Sequence, residues 1–301
     1  MVKFVALRLL SVAAVVVMVT AVTWLCFRLL RPEFFTFDDR PMLVELGDYL
    51  YRAFVHFDLG TSWENREARV SALLREGLPA DLWLLGGGLV FGVGLGVAAG
   101  AVVAAAPRSV LARAIETVSM IFLCAPVYVV GLSILLLFGA GIAIAGIGFV
   151  PLKYVPFDES PLRWVGSMIA PWVVLGLPLA AVCERMMNSA LREVMHEEFI
   201  RTATAKGISQ REVMRRHAVP AAVAPVFTLA GVTVPVMVTN LVLVELTFSI
   251  PGVFQNVRES MADADFPVIQ GTVVAAAFLV AIASLVVDVA LAWLDPRTRS
   301  A

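Results

Sequence analysis

Residues Leu82 to Pro107 read LWLLGGGLVFGVGLGVAAGAVVAAAP, 26 consecutive positions without a charged side chain. A helix of about 20 residues crosses the roughly 30 Å hydrocarbon layer of a bilayer, so this stretch is long enough to span it. Within it Gly88, Gly92, Gly96 and Gly100 recur at every fourth position, which lines them along one helix face and lets another backbone approach closely. Such a stripe serves either internal packing or a partner interface, and internal packing is the expectation here. Gly94, Gly96 and Ala99 imitate a dinucleotide-binding fingerprint, but they lie inside a membrane-length run with no preceding strand, so the match is set aside.

Five further uncharged runs have comparable length: Leu9 to Phe27 (19 residues), Thr117 to Leu152 (36), Trp164 to Cys183 (20), His217 to Val244 (28) and Phe266 to Val287 (22). Gly139, Gly141, Gly146 and Gly148 crowd the second half of the longest, and glycine weakens a helix interior. That run is therefore read as one helix to about Phe138 followed by a loop, giving six crossings in an all-α polytopic membrane protein. Lys3 and Arg8 precede the first run as in a signal peptide, but Arg28 and Arg31 follow it and no small-x-small cleavage site is present, so an uncleaved helix is expected.

Composition agrees. Of 301 residues 60% are hydrophobic and 16% charged, and the mean hydropathy of +0.88 is too high for a soluble domain carrying one anchor. The 23 Lys and Arg nearly balance 24 Asp and Glu, leaving no basic surface of the kind nucleic acid requires. Cys26, Cys124 and Cys183 are odd in number and each sits in an apolar run, so no disulfide framework is implied. His56, His196 and His217 lack metal-ligand spacing, and no metal or other cofactor is expected.

With the N-terminus inside, inner segments hold 13 of the 23 basic residues and 8 of the 24 acids, so positive charge collects inside as membrane proteins require. Both termini are then cytoplasmic and residues 28–81 form an outer segment. Trp24, Trp83, Trp164 and Trp293 sit near run ends, as interfacial aromatics do. Leu43, Leu46, Leu50, Phe54 and Phe57 follow a near-helical repeat, predicting an amphipathic helix on the outer surface.

The longest inner loop, residues 184–216, is the most informative. Leu191, Met195 and Phe199 recur at four-residue spacing and predict an amphipathic helix continuing toward Ala203. Gly207 is a natural left-handed helix end, and Ser209 with Glu212 forms a capping box that opens the next helix. Helix, sharp turn and helix result, with small residues before the turn. Such a flat surface suits docking into a cleft of another protein, although a capped turn can also merely satisfy its own backbone groups.

Phe199 to Ser209, FIRTATAKGIS, followed by Arg216-His217-Ala218, resembles the EAA loop of ABC importer membrane subunits, in the form found in dipeptide and oligopeptide permeases. Asp58-Leu59-Gly60-Thr61-Ser62, the passage from Glu245 to Phe248 into Pro251-Gly252, and the ending Leu294-Asp295-Pro296-Arg297 are similar to the first permease subunit of that peptide/nickel family. Against the general EAA pattern this chain has Arg201 and Thr202 in place of Glu and Ala, keeps Ala203 and Gly207, has His217 for Ile, and ends Val219-Pro220.

The resemblance implies a type I importer fold and a single transmembrane permease domain over 1–301. It also implies a multi-pass place in a bacterial-type inner membrane. The expected partners are a second homologous permease, two cytoplasmic ATPases, an extracytoplasmic solute-binding protein and a peptide substrate. It assigns coupling to the ATPases to Arg201, Thr202, Ala203, Ala205, Lys206, Gly207, Ile208 and Ser209. No phosphate-binding loop occurs in the chain, so ATP chemistry is expected in the partners and none here. A relative carrying nickel, glutathione or another small solute remains an alternative, as does an ion-coupled carrier. The latter usually buries ionisable residues at mid-membrane, whereas Glu245 and Asp288 lie near run ends, where an interfacial place is expected.

Overall fold

The computed structural model describes residues 2–30, 41–65, 68–139, 154–255 and 257–294. Eleven α-helices lie among them: α1 (Val2–Leu30), α2 (Met42–Val55), α3 (Val70–Ala105), α4 (Val110–Cys124), α5 (Val127–Gly139), α6 (Pro161–Val194), α7 (Glu198–Ala205), α8 (Gln210–Val213), α9 (Val219–Phe248), α10 (Val257–Ala262) and α11 (Phe266–Leu294). Five helical stretches are long and apolar enough to cross a membrane, and the bent pair α4 and α5 makes a sixth if it is one span. Among the described residues the only strand pairing is an isolated bridge between Thr61 and Arg69.

The third crossing departs from expectation. Instead of one helix to Phe138, Val110–Cys124 and Val127–Phe138 meet at a bend of 110°. The reason is Pro126, which cannot donate to the helix ladder and disfavours helical geometry at Ala125. Ala125 accordingly stands in an extended conformation (ψ 130°). The loop expected across Gly141, Gly146 and Gly148 and the Asp295-Pro296-Arg297 ending lie outside the described residues.

The chain forms two compact units, residues 1–82 with 250–301, and residues 83–249. In the first, α1 packs along α11 and α2 lies on α1. Val16, Val274 and Ala281 are buried at its centre, with Phe54 of α2 and Leu59 packed against them. Thus a helix forms over part of the expected stretch: Ala53 is its buried residue and Phe54 packs inward, whereas Leu43 is exposed and Phe57 lies beyond the helix end, exposed at φ +54°. Glu45 of α2 pairs with Arg28 at 3.1 Å, and Tyr49 stacks on Trp24 with ring centroids 6.5 Å apart. Burial between these elements pushes the Tyr49 phenol up to about 12.

In the second unit α6 packs against α4, α5 and α9. It also receives the glycine stripe of α3. A Cβ on Gly96 would stand 2.4 Å from Cys183 Cβ, and one on Gly100 would stand 2.5 Å from the Glu184 carbonyl oxygen. Internal packing is therefore the use of this stripe. Apolar burial drives little association in lipid, and close backbone approach supplies dispersion contacts instead.

Two tryptophans expected at an interface are buried: Trp24 against Tyr49, and Trp164 among Phe157, Trp83 and Trp172. Trp83 remains exposed, and the Trp293 side chain lies outside the described residues. Glu245 is likewise fully buried rather than interfacial. It stands one turn before the end of α9, where helix packing covers a residue that the run of sequence leaves at an edge.

Candidate functional site: the turn between α7 and α9

The amphipathic helix predicted from Leu191 to Ala203 is interrupted. α6 continues to Val194, and α7 starts afresh at Glu198. His196 N–H bonds to the Glu193 carbonyl and Glu197 N–H to the Val194 carbonyl, both at 3.0 Å, tightening the last turn. Glu197 is extended (ψ 149°), and Glu198 occupies the first turn of α7, where a negative charge complements the helix dipole. The Leu191, Met195 and Phe199 stripe is therefore split, with Leu191 buried in α6 and Phe199 exposed on α7. Ile200 and Ala203 are the residues that α7 buries.

At its C-terminal end α7 closes as the sequence predicts. Gly207 has φ +81°, its N–H bonds to the Thr204 carbonyl at 3.0 Å, and Ile208 N–H reaches the Ala203 carbonyl at 3.4 Å. This double closure requires the left-handed conformation that glycine adopts without steric cost. Ser209 then accepts from Glu212 N–H at 3.4 Å to open α8. The reciprocal half of the box is absent among the described contacts, because the Glu212 carboxylate pairs with Arg216 at 3.2 Å.

Residues 214–218 form a π-helical turn in which Val219 N–H bonds to the Met214 carbonyl. Pro220 supplies the cause. It has no N–H for the Arg216 carbonyl four residues earlier, so the backbone widens there before α9 proceeds. The stretch from Gln210 to Phe248 is thereby one long helical passage from the turn into the membrane.

The eight residues predicted for coupling thus lie on one short hook. Arg201, Thr202, Ala205, Lys206, Gly207 and Ser209 are exposed, Ile208 is half-buried and Ala203 is buried. Thr202 and Thr204 spend their hydroxyls on the carbonyls of Glu198 and Ile200, at 2.9 and 3.0 Å. The exposed surface is small-sided, with Arg201 and Lys206 as its charges, and open space surrounds Gly207. Sequence spacing misassigned the anchor: Ile200 and Ala203 stand three apart, and the interruption at residues 195–197 hid their phase.

A second set of residues belongs to the other unit. In the Asp58 to Ser62 stretch, Gly60 has φ +89° and donates to Asp58 Oδ1 at 3.0 Å. Ser62 Oγ donates to Asp265 Oδ2, and Trp63 N–H donates to Asp265 Oδ1 at 3.1 Å. Nearby, a Cβ on Gly77 would stand 2.5 Å from the backbone of Gly252, and Asp81 accepts from Val253 N–H at 3.3 Å. The Pro251-Gly252 stretch is thus held against the start of α3.

Residues 92–300 match the protein family described as binding-protein-dependent transport system inner membrane component. The chain is 31% identical over 261 residues to a putative peptide transport system permease protein of Brucella abortus (strain 2308), covering 87% of this chain and 81% of the relative. It is also 31% identical to the di/tripeptide transport system permease protein of Pseudomonas aeruginosa (strain UCBPP-PA14), over 87% of this chain and 82% of the other. With the dipeptide transport system permease protein of Lactococcus lactis subsp. cremoris (strain MG1363) it shares 29% identity at the same coverage, 87% and 82%.

Proposed function

Because the chain belongs to the family of binding-protein-dependent transport system inner membrane components, we propose that this permease subunit carries di- or oligopeptides into the cell on ATP-driven partners. The relatives' names support the cargo. The partners are a second, homologous permease, two cytoplasmic ATPases and an extracytoplasmic solute-binding protein, and residues 1–301 act as one permease domain. Both termini face the cytoplasm, in keeping with the collection of Lys and Arg on that side.

The observation that carries the mechanism is the closed hook at Gly207, with its exposed, small-sided surface. ATP-driven closure of the ATPase pair pushes this hook, and α6 and the 210–248 passage, which flank it in the chain, carry the displacement into the membrane. The cavity then opens outward to receive solute from the binding protein, and hydrolysis resets it. This chain binds no ATP and performs no covalent chemistry.

Reconstitution with candidate partners in liposomes tests the reading. Uptake of a short peptide requires ATP, stops with a non-hydrolysable analogue, and ignores a pH gradient. Gradient-driven uptake without ATP would replace it with the ion-coupled class.

A further inference from the structure

α6 carries a glutamate that its own fold leaves unserved. Glu184 is 1% exposed, and among the described residues neither of its carboxylate oxygens has a hydrogen-bond partner. Burying a carboxylate without partners is among the costlier arrangements a fold can hold, more so in a membrane helix. Glu184 lines a cavity of about 380 Å³ between α4 and α6 together with Glu116, Arg185, Asn188 and Arg192. Small-molecule sites typically span roughly 300 to 1,000 Å³.

The lining has a distinctive charge pattern. It brings two carboxylates and two guanidinium groups to one cavity, and among the described residues no ion pair joins them. Arg192 Nε is instead bonded to Asn188 Oδ1 at 3.0 Å. A bare metal ion fits poorly. Two arginines repel it, and among the described residues no group of three or more His, Cys, Asp or Glu is poised to hold one. A cationic side chain from a partner subunit answers the glutamates alone, whereas Arg185 and Arg192 stand exposed at the same cavity, where they can meet an anion. A molecule bearing both an ammonium and a carboxylate matches the whole set.

We propose that the cavity between α4 and α6 is a transit site for a zwitterionic short peptide, whose terminal ammonium is received by Glu184 and Glu116 and whose carboxylate is received by Arg185 and Arg192. This rests on the peptide-import reading above and names the binding groups within it. A second cavity of about 270 Å³ borders the same helices, with an apolar lining that includes Ile115, Val118, Phe122 and Leu177. On α4 these residues interleave with Glu116 and Met120. An apolar peptide side chain therefore has a place beside the charged groups.

The test uses the assembled transporter in nanodiscs and a tripeptide whose central residue is benzoylphenylalanine, with its N-acetylated form as the control. Light attaches the free-amine probe to the segment 110–124, excess unlabelled tripeptide suppresses the adduct, and acetylation reduces it about tenfold or more, as loss of a charge-assisted hydrogen bond does. Glu184→Gln and Glu116→Gln each reduce it similarly. Both remove a charge without changing shape, and assembly with the partner subunits reports their folding independently. Equal labelling by the acetylated probe, full labelling in both variants, or no adduct within 110–124 would overturn the site. ATP-driven uptake of the tripeptide by the unaltered transporter runs in parallel. If uptake is present while labelling fails, the transit site falls alone; if uptake is absent, the peptide cargo falls and the site with it.

Discussion

The hydroxyl of Ser62 donates to the carboxylate of Asp265, 203 positions further along the chain. Both residues are buried, and the same carboxylate also receives the N–H of Trp63 at 3.1 Å. Ser62 in turn accepts from Asn65 N–H at 2.9 Å. Asp265 thus fixes a loop that has no helix of its own to hold it. Asp265→Ala leaves a buried hydroxyl and a backbone N–H without their acceptor, and Ser62→Ala leaves the buried carboxylate without one donor and Asn65 N–H without its acceptor, so each costs about 2 to 3 kcal/mol. Thermal unfolding of the detergent-solubilised protein should show both variants lowered by a similar margin. Equal midpoints for Asp265→Ala and the unaltered chain would remove the clamp.

Two glycines of α3 only two residues apart should respond oppositely. A Cβ on Gly96 meets Cys183 and the Ala180 carbonyl oxygen at 2.4 and 2.6 Å, while one on Gly94 meets nothing within 4 Å. Gly96→Ala forces α3 away from α6 and costs about 1 to 3 kcal/mol. Gly94→Ala gains up to about 1 kcal/mol, because alanine is the better helix former. Unfolding midpoints that move in the same direction for both would contradict the stripe's packing role.

These contrasts also mark how far the sequence is legible. The membrane helices could be read because an uncharged run of about 20 residues or more has few other uses. The hook at Gly207 could be read because glycine followed by Ser209 and Glu212 admits few backbone solutions. The break at Pro126 was visible as a residue but masked by the apolar run around it. The gap at residues 195–197 was not legible, since Leu191, Met195 and Phe199 keep a helical phase across it. Glu184 and Glu245 look like run ends in one dimension, and only the packing of other helices buries them. The Ser62 to Asp265 bond is long-range and has no local signature.

Topology calls for probes at exposed sites, and buried Ser62 is unsuitable. Gly47 on α2 is exposed, and a Cβ there meets nothing within 4 Å. Ser209 is exposed on the hook. With Cys26, Cys124 and Cys183 replaced by alanine, a cysteine at position 47 should react with an impermeant maleimide in intact cells, and one at position 209 only after permeabilisation. Labelling of both in intact cells would reject the six-crossing arrangement with cytoplasmic termini.

Substitutions at Gly207 separate strain from docking. With φ +81° and open space where a Cβ would stand, the chain itself penalises only conformation at this position. Alanine at positive φ costs about 1 to 2 kcal/mol, whereas asparagine and aspartate tolerate the left-handed region. If the hook merely satisfies its own backbone, Gly207→Ala is the most damaging change, and Asn and Asp are alike and mild. If it seats in a cleft of an ATPase, Gly207→Asp is worst, because it carries an unpaired charge into a desolvated contact. We expect the second order: ATP-driven uptake falls about tenfold or more for Asp and less for Asn, with membrane abundance unchanged in both because the hook lies outside the hydrocarbon. Uptake rates measured beside ATPase activity in proteoliposomes distinguish the two orders, and a Gly207→Asp protein that transports like the unaltered one would deny the hook its coupling role.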